Sequence, residues 1–461
     1  MDDRHRSSAR RDRPRRVSST STSLSRHRRQ PRHQAHLCRK KIMNGPSRRQ
    51  RRLALAGMLV MLCPIGTAGA QTAPPFAQLL RQAQTAPRVT ALDADVARAQ
   101  GLAEQARARP NPFINVYAEN FAGDLQNNAR NQQQTTFQID QPIELGGKRS
   151  ARIAAGEAGI AAAQARNRDG RLLFATELAR AYASAEVAER RIALAEDEVE
   201  EATADLKVAR ALVGAGKEAR LRQLQAETEL ATLEADLEVA RAQKTAALAR
   251  LSGLAGSPTT FTGVGESLLD RMNARPSSGP VDPMQATTVK VAEAEREAAA
   301  RAVTVQQRLA VPNITAQLGV RQLRVASGPA VVAGVSVPLP FFDRNRGNID
   351  AARADLQGAE ARAAAARLEA ETGARAAFVL VQAADTRAVA AQRTMRTAEE
   401  AYRLARIAYE AGKAPLIELL AARHNLGAAR GVILDADIAR LDARANLARL
   451  SGLSITGEAV Q

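Results

Sequence analysis

Two hydrophobic periods take turns along this chain. From Phe113 to Phe121 apolar and polar positions alternate singly, with Ile114, Val116 and Ala118 on one side and Asn115, Tyr117 and Glu119 on the other. That is the period of a strand. Residues 134–141 do the same, placing Phe137 and Ile139 between Thr136, Gln138 and Asp140, and the polar stretch 122–133 between the two runs is a loop. Ahead of this hairpin, residues 76–109 carry Val89, Leu92, Val96 and Ala99 three or four apart, a helical spacing that Pro110 and Pro112 end. Behind it, Gln141-Pro142-Ile143-Glu144-Leu145-Gly146-Gly147-Lys148-Arg149 turns strand into helix. Pro142 lacks a backbone donor and suits a strand's end, while Gly146 and Gly147 permit the sharp turn.

The next segment, 148–213, is a proline-free, Ala-rich helix, which at 1.5 Å per residue is roughly 100 Å long. It stops at Gly214-Ala215-Gly216-Lys217, and a second helix, 218–251, follows. Segments 76–109 and 218–251 placed end to end match the long helix in length, so broken and continuous helices are expected side by side in a rod. Residues 257–283, with Pro258, Gly263, Gly265, Pro276, Gly279, Pro280 and Pro283, read as a linker.

Then the order restarts: helix 284–309, Val311-Pro312, strands 313–320 and 330–337, a junction running from Pro338 to Arg344-Asn345-Arg346-Gly347, helix 348–411, the turn Gly412-Lys413-Ala414-Pro415 and helix 415–450. One displacement superposes Pro142 on Pro338, Ile153 on Ile349, Leu172 on Leu368, Gly216 on Gly412 and Lys217 on Lys413. Such self-similarity marks a duplicated unit. The expected organisation is a first repeat over 71–256, the linker 257–283, a second repeat over 284–455 and a tail 456–461, in a fold that is mainly α with a small β part.

Charge changes the picture only at the start. The chain has 66 Lys and Arg against 48 Asp and Glu, which taken whole suggests a polyanion partner. Residues 1–52, however, hold 18 of the basic residues and only Asp2, Asp3 and Asp12 of the acidic ones. The remainder is nearly neutral, so no nucleic-acid partner is expected. Within that leader, Met43 precedes Arg48, Arg49, Arg51 and Arg52, the apolar run Leu53 to Cys63, and Ala68-Gly69-Ala70, the anatomy of a signal peptide over 43–70. Residues 1–42 then read as an over-long start, with acylation at Cys63 as the competing processing. No catalytic set stands out: Ser, His and Asp are never grouped, no Gly-rich phosphate loop follows a strand, and His424 lies in a helix. Neither enzyme activity, cofactor nor metal cluster is expected.

The two junctions resemble those of the TolC-type outer membrane factors, and QPIELGGKR is similar to the form in their heavy-metal branch, the cobalt–zinc–cadmium efflux components. The residues agree with what that resemblance implies. Four strands of about nine residues are long enough to cross the hydrocarbon layer when tilted but cannot close a barrel, and open edges are not tolerated in lipid. Three copies would supply twelve strands. Aromatics are 3% of the chain, yet Phe113, Tyr117, Phe121 and Phe137 crowd into the first hairpin, as in a lipid-facing band with interfacial rings. The charge-bearing helices cannot span a membrane and are expected to form a water-filled α-barrel in the periplasm, with both helical turns at the inner end.

The resemblance implies a homotrimer in the cell outer membrane that docks a periplasmic adaptor and an inner membrane pump of the resistance-nodulation-division type. The turns, with Gly214, Gly216, Lys217, Gly412, Lys413 and Pro415, would meet the adaptor; plain helix capping is the alternative. Arg210 and Arg406, with Asp205 and Glu410 nearby, are candidates for ion pairs that close the inner aperture; a solvated charged face is the alternative. Pro110, Pro142, Gly146, Gly147, Pro312, Pro338, Arg344, Asn345, Arg346 and Gly347 form the barrel–helix junctions. Heavy-metal cations are the expected cargo. Drug efflux and type I protein secretion use the same fold, and a soluble coiled-coil scaffold is the reading from a different class.

Overall fold

With no proline between Lys148 and Gly214, and alanine at many of its buried positions, one helix runs unbroken for 67 residues. It belongs to a computed structural model that describes residues 71–121, 133–274, 279, 281–324 and 328–457, all within the unit Gly66–Gln461. The expected leader segments 1–42 and 43–70, with Cys63, lie outside the described residues, as do 122–132 of the first loop and the last residues of the tail.

The order is α1 (Phe76–Gln82), α2 (Pro87–Arg107), β1 (Phe113–Glu119), β2 (Gln134–Ile143), α3 (Lys148–Gly214), α4 (Arg220–Ala255), α5 (Leu268–Asn273), α6 (Thr287–Leu309), β3 (Ile314–Leu323), β4 (Ala330–Ser336), α7 (Arg346–Glu410) and α8 (Leu416–Leu450). Helix, hairpin, long helix and helix thus occur twice. The expected single helix 76–109 is broken instead: a 3-10 turn over Ala83–Thr85 and extended Ala86 precede Pro87, which opens α2. Proline at the first helical position gives up a donor that would be unpaired there anyway.

All four strands form one antiparallel sheet in the order β1-β2-β3-β4. The hairpins of the two repeats meet through β2 and β3, Phe137 opposite Val320 and Ile139 opposite Leu318. Pro142, expected to end its strand, lies one residue inside β2 opposite Thr315. β1 and β4 are edges, unpaired on their outer sides within one chain.

Around the sheet's helices, α3 packs against α2, α4, α6 and α8, and α7 against α6 and α8. Buried alanines such as Ala162, Ala175, Ala179 and Ala185 let neighbouring helices approach α3 closely. The largest cluster lies near the middle of α3, where Phe76 meets Tyr182 edge to face at 5.9 Å among Leu178, Leu248, Leu251 and Leu441. The segment read as a linker enters this cluster. Phe261, Leu268, Leu269 and Met272 are buried there, and Val264 forms a parallel bridge with Ala73. Glu186 of α3 holds the segment by accepting from the backbone N–H groups of Leu268 at 2.9 Å and Leu269 at 3.2 Å. A second cluster, Leu206, Tyr402, Tyr409, Leu416, Leu419 and Leu426, lies by the turns at the other end of α3 and α7.

Candidate functional site

The strand registers divide the sheet into two faces of opposite chemistry. Ile114, Ile139, Leu318 and Ala333 form one cross-strand row, and Val116, Phe137, Val320 and Val331 the next. Their large members are exposed, from 46% at Val320 to 77% at Val331, although nothing in an aqueous surface favours such a continuous apolar band. The opposite face carries Asn115, Gln138, Asp140, Gln317, Thr136 and Arg321. There the amide of Asn115 donates to Asp140 at 2.7 Å and Arg321 donates to the Thr136 hydroxyl at 3.1 Å. An apolar outside and a polar inside are what a strand set between lipid and a water-filled lumen requires. The aromatics do not all share the apolar face that the expected lipid-facing band would require. Phe113 and Tyr117 pair with Asp140 and Thr136 and so stand on the polar side, leaving Phe137 in the apolar band.

At the first junction the chain turns through two left-handed residues, Gly146 (φ 70°) and Gly147 (φ 73°). A side chain on Gly146 would meet Val311 within 3.0 Å. Lys148, the first residue of α3, is buried and donates to Oδ1 of Asn313 at 2.6 Å. Burial depresses its ammonium below the usual lysine range, Glu144 working against that. Glu144 accepts two hydrogen bonds from Arg152, one of them at 3.0 Å, and these hold its carboxyl below the ordinary value. Arg149 and Arg152 cap the end of α2 by donating to the carbonyls of Arg107 and Ala108, and Gln141 donates to that of Pro110. At the second junction Asn345 takes the left-handed position (φ 59°). It donates to the carbonyl of Gln306 at 2.8 Å, and Arg344 donates to that of Pro340. Pro312 precedes Asn313, while Pro338, Arg346 and Gly347 belong to the exposed side of the second turn.

Both helical turns end in left-handed glycines, Gly216 (φ 70°) and Gly412 (φ 68°). In each, the following lysine N–H returns to a carbonyl of the last turn: Lys217 to Leu212 at 2.9 Å and Lys413 to Ala408 at 2.8 Å. These bonds supply helix capping, and Gly214, Gly216, Lys217, Gly412, Lys413 and Pro415 are all exposed.

The four candidate aperture charges do not pair with one another as a set. Arg210 pairs with Glu227 at 2.9 Å and Arg406 with Glu410 at 3.0 Å, both at the surface. Asp205 instead points into the helix packing, where Arg423 donates to it at 2.9 Å. Burial pushes the Asp205 carboxyl up despite Arg423 and Arg406. Sequence reasoning missed Arg423, Glu229, Glu201 and Arg430. The signal was available in spacing: Glu201 and Asp205 are four apart on α3, and Arg423 and Arg430 seven apart on α8, each a single helix face. Among the described residues, no cluster of His, Cys, Asp and Glu could hold a metal ion, and no helix is long and apolar enough to cross a membrane.

The sequence profile of the outer membrane efflux proteins matches residues 79–257 and 285–453. The chain is 40% identical over 397 residues to the nickel-cobalt-cadmium resistance protein NccC of Alcaligenes xylosoxydans xylosoxydans, covering 86% of this chain and 90% of that one. It is 42% identical over 330 residues to the nickel and cobalt resistance protein CnrC of Cupriavidus metallidurans, covering 71% and 78%. The fold is similar to that of the channel-forming protein CusC, with a TM-score of 0.71 at 18% identity over 82% of this chain and 92% of that one. The outer membrane protein VceC of Vibrio cholerae superposes with a TM-score of 0.68 at 19% identity, over 82% and 96%.

Proposed function

The chain belongs to the outer membrane efflux protein family, and on that premise we propose that it is the outer duct of a tripartite pump that exports heavy-metal cations. The observation that carries this reading is the sheet: two chemically opposite faces and two open edges in a single chain. Exposed apolar rows are stable in lipid, and lipid forbids unpaired edges, so the edges must pair with further copies. Three copies give a twelve-stranded barrel of ordinary size, continued into the periplasm by α3, α7 and their shorter neighbours.

The cargo follows from the resistance proteins that the chain is similar to, whose names specify nickel, cobalt and cadmium. The duct passes ions, and among the described residues no cluster of His, Cys, Asp and Glu could hold one. At the far end, the exposed turns at Gly214 to Lys217 and Gly412 to Pro415 would meet a periplasmic adaptor, which joins the duct to a resistance-nodulation-division pump; their exposure supports this reading. Arg210, Arg406 and Glu410 lie on the surface by these turns, with Asp205 buried behind them, and a threefold axis would repeat every lumen charge three times.

The test is deletion of the gene followed by growth on nickel, cobalt, cadmium, zinc and dyes, with the purified protein measured in planar bilayers. Metal sensitivity restored by the intact gene, with discrete channel conductance, is the expected result. Sensitivity to dyes alone would remove the metal cargo, and a non-conducting soluble product would remove the duct.

A further inference from the structure

The two repeats are not equally covered, and the difference locates a joint between copies. Within one chain, the start of the first long helix is locked to the second repeat. Left-handed Gly147 precedes Lys148, whose ammonium reaches Oδ1 of Asn313 at 2.6 Å, just after Val311 closes against Gly146. The same parts occur a second time. Left-handed Asn345 caps the second long helix as Gly147 caps the first, two residues beyond the position that the sequence displacement gives, and makes Arg346 the mate of Lys148 as first residue of a long helix. The dipeptide Pro312-Asn313 before β3 has its mate in Pro110-Asn111 before β1.

Lys148 is 6% exposed and Asn313 is half-buried. Their mates Arg346 and Asn111 are both exposed, and neither side chain has a hydrogen bond or ion pair among the described residues. The segment that joins β4 to α7 also carries three exposed large apolar side chains: Leu339 at 67%, Phe341 at 70% and Phe342 at 104% exposure. The sheet shows why the second lock is open. The first lock spans the β2–β3 seam, whereas Arg346 follows edge strand β4 and Asn111 precedes edge strand β1. No seam exists between those edges in one chain.

We infer that Arg346 of one copy donates to the side-chain carbonyl of Asn111 of the next copy, repeating between chains the Lys148–Asn313 lock found within each. The joint sits directly below the β4–β1 seam and covers Leu339, Phe341 and Phe342. Arginine in place of lysine fits a lock formed between separately folded chains, since its planar fork loses less freedom per hydrogen bond made. This joint rests on the proposed closed assembly of several copies. In such a ring the β4 edge of each chain faces the β1 edge of its neighbour, and the joint adds which residues fasten that seam.

The described residues contain no cysteine, so replacing Cys38 and Cys63 of the full sequence by serine gives a thiol-free background for cross-linking. The pair Lys148→Cys with Asn313→Cys sets the reach of a homobifunctional methanethiosulfonate reagent, because that lock is internal and its product remains a monomer in a denaturing gel. With the same reagent, Asn111→Cys with Arg346→Cys should convert most chains into covalent dimers and trimers, while either single variant stays monomeric. Sizing the same sample under non-denaturing conditions separates the two ideas. A trimer that forms no covalent ladder overturns the joint and leaves the duct standing, and absence of any oligomer overturns both. Should the cysteine pair impair assembly, Arg346→Glu should lower trimer yield several-fold and Asn111→Lys in the same chain should restore it. Failure of that rescue also overturns the joint.

Discussion

Asp205 on α3 and Arg423 on α8 meet inside the helix packing, oxygen to nitrogen at 2.9 Å, with only about 4% of each residue reached by solvent. Arg423 also lies 3.1 Å from Glu229 on α4, so one guanidinium ties three helices behind the turns. A buried pair gains little over a well-packed apolar pair, but losing one partner strands the other charge, at a cost of about 3–5 kcal/mol.

Arg423→Met should therefore destabilise the protein by about 3–5 kcal/mol, whereas Arg423→Met combined with Asp205→Leu should recover most of that loss. The pH dependence gives an independent check. The folded state already holds the Asp205 proton more tightly than the unfolded chain does, and removing Arg423 strengthens this hold. A carboxyl raised on folding favours the fold below its unfolded value, and that advantage fades as pH rises through the folded value. The single variant should be most impaired at neutral pH and recover as the solution is acidified, as read by chemical denaturation.

At the first junction the sign is reversed. Arg152 holds Glu144 below the ordinary value of 4.5, so its contribution is present above that value and is lost as pH falls through the depressed one. Glu144→Gln should cost about 1.5–3 kcal/mol near neutrality, the range for a hydrogen bond to a charged group. It should also flatten the acid limb of the stability curve. An unchanged acid limb in the variant would show that Glu144 does not contribute to it.

The two glycines of that junction should respond differently. Gly147→Asn should be tolerated, because Asn345 already occupies the matching left-handed position in the second repeat. Gly146→Ala should be the more damaging, combining about 1–3 kcal/mol of backbone strain with a methyl group that reaches Val311 within 3.0 Å. Yield of folded, membrane-inserted protein ranks the two.

Charge placed on the two faces of the sheet should separate lipid from lumen. Val331→Lys on the apolar face should cost up to about 2–4 kcal/mol at mid-depth and reduce insertion. Gln317→Lys, on the polar face, should insert normally and lower cation conductance. Equal effects at the two positions would contradict the assignment of faces.

How much of this was legible in advance depends on how local each signal is. Period-2 alternation in Ile114 to Glu119 and Ile314 to Val320 announced the strands, because each strand has one face in contact with something apolar. Glycine before lysine announced both helical turns, since only glycine takes their left-handed backbone without strain. Pro87 was read as part of a continuous helix, although proline can open a helix as readily as end one. Residues 257–283 read as a linker because proline and glycine recur throughout the segment. Yet Phe261, Leu268 and Met272 are buried, and no local pattern distinguishes a buried strap from an exposed one. The partners of Asp205 and Lys148 lie on distant segments, and only tertiary structure brings Arg423 and Asn313 to them.

That strap gives the long helices a fulcrum. Phe76, Tyr182, Leu251 and Leu268 knot the chain part-way along α3, while beyond it α3 and α7 continue to turns held by a smaller set of contacts. A beam pinned near its middle converts a slight tilt at the pin into a displacement of several ångströms at its free end. The opposite end is tied into the sheet junctions by Lys148 on Asn313 and Asn345 on Gln306, so the turns are the end with fewer ties to resist such a tilt.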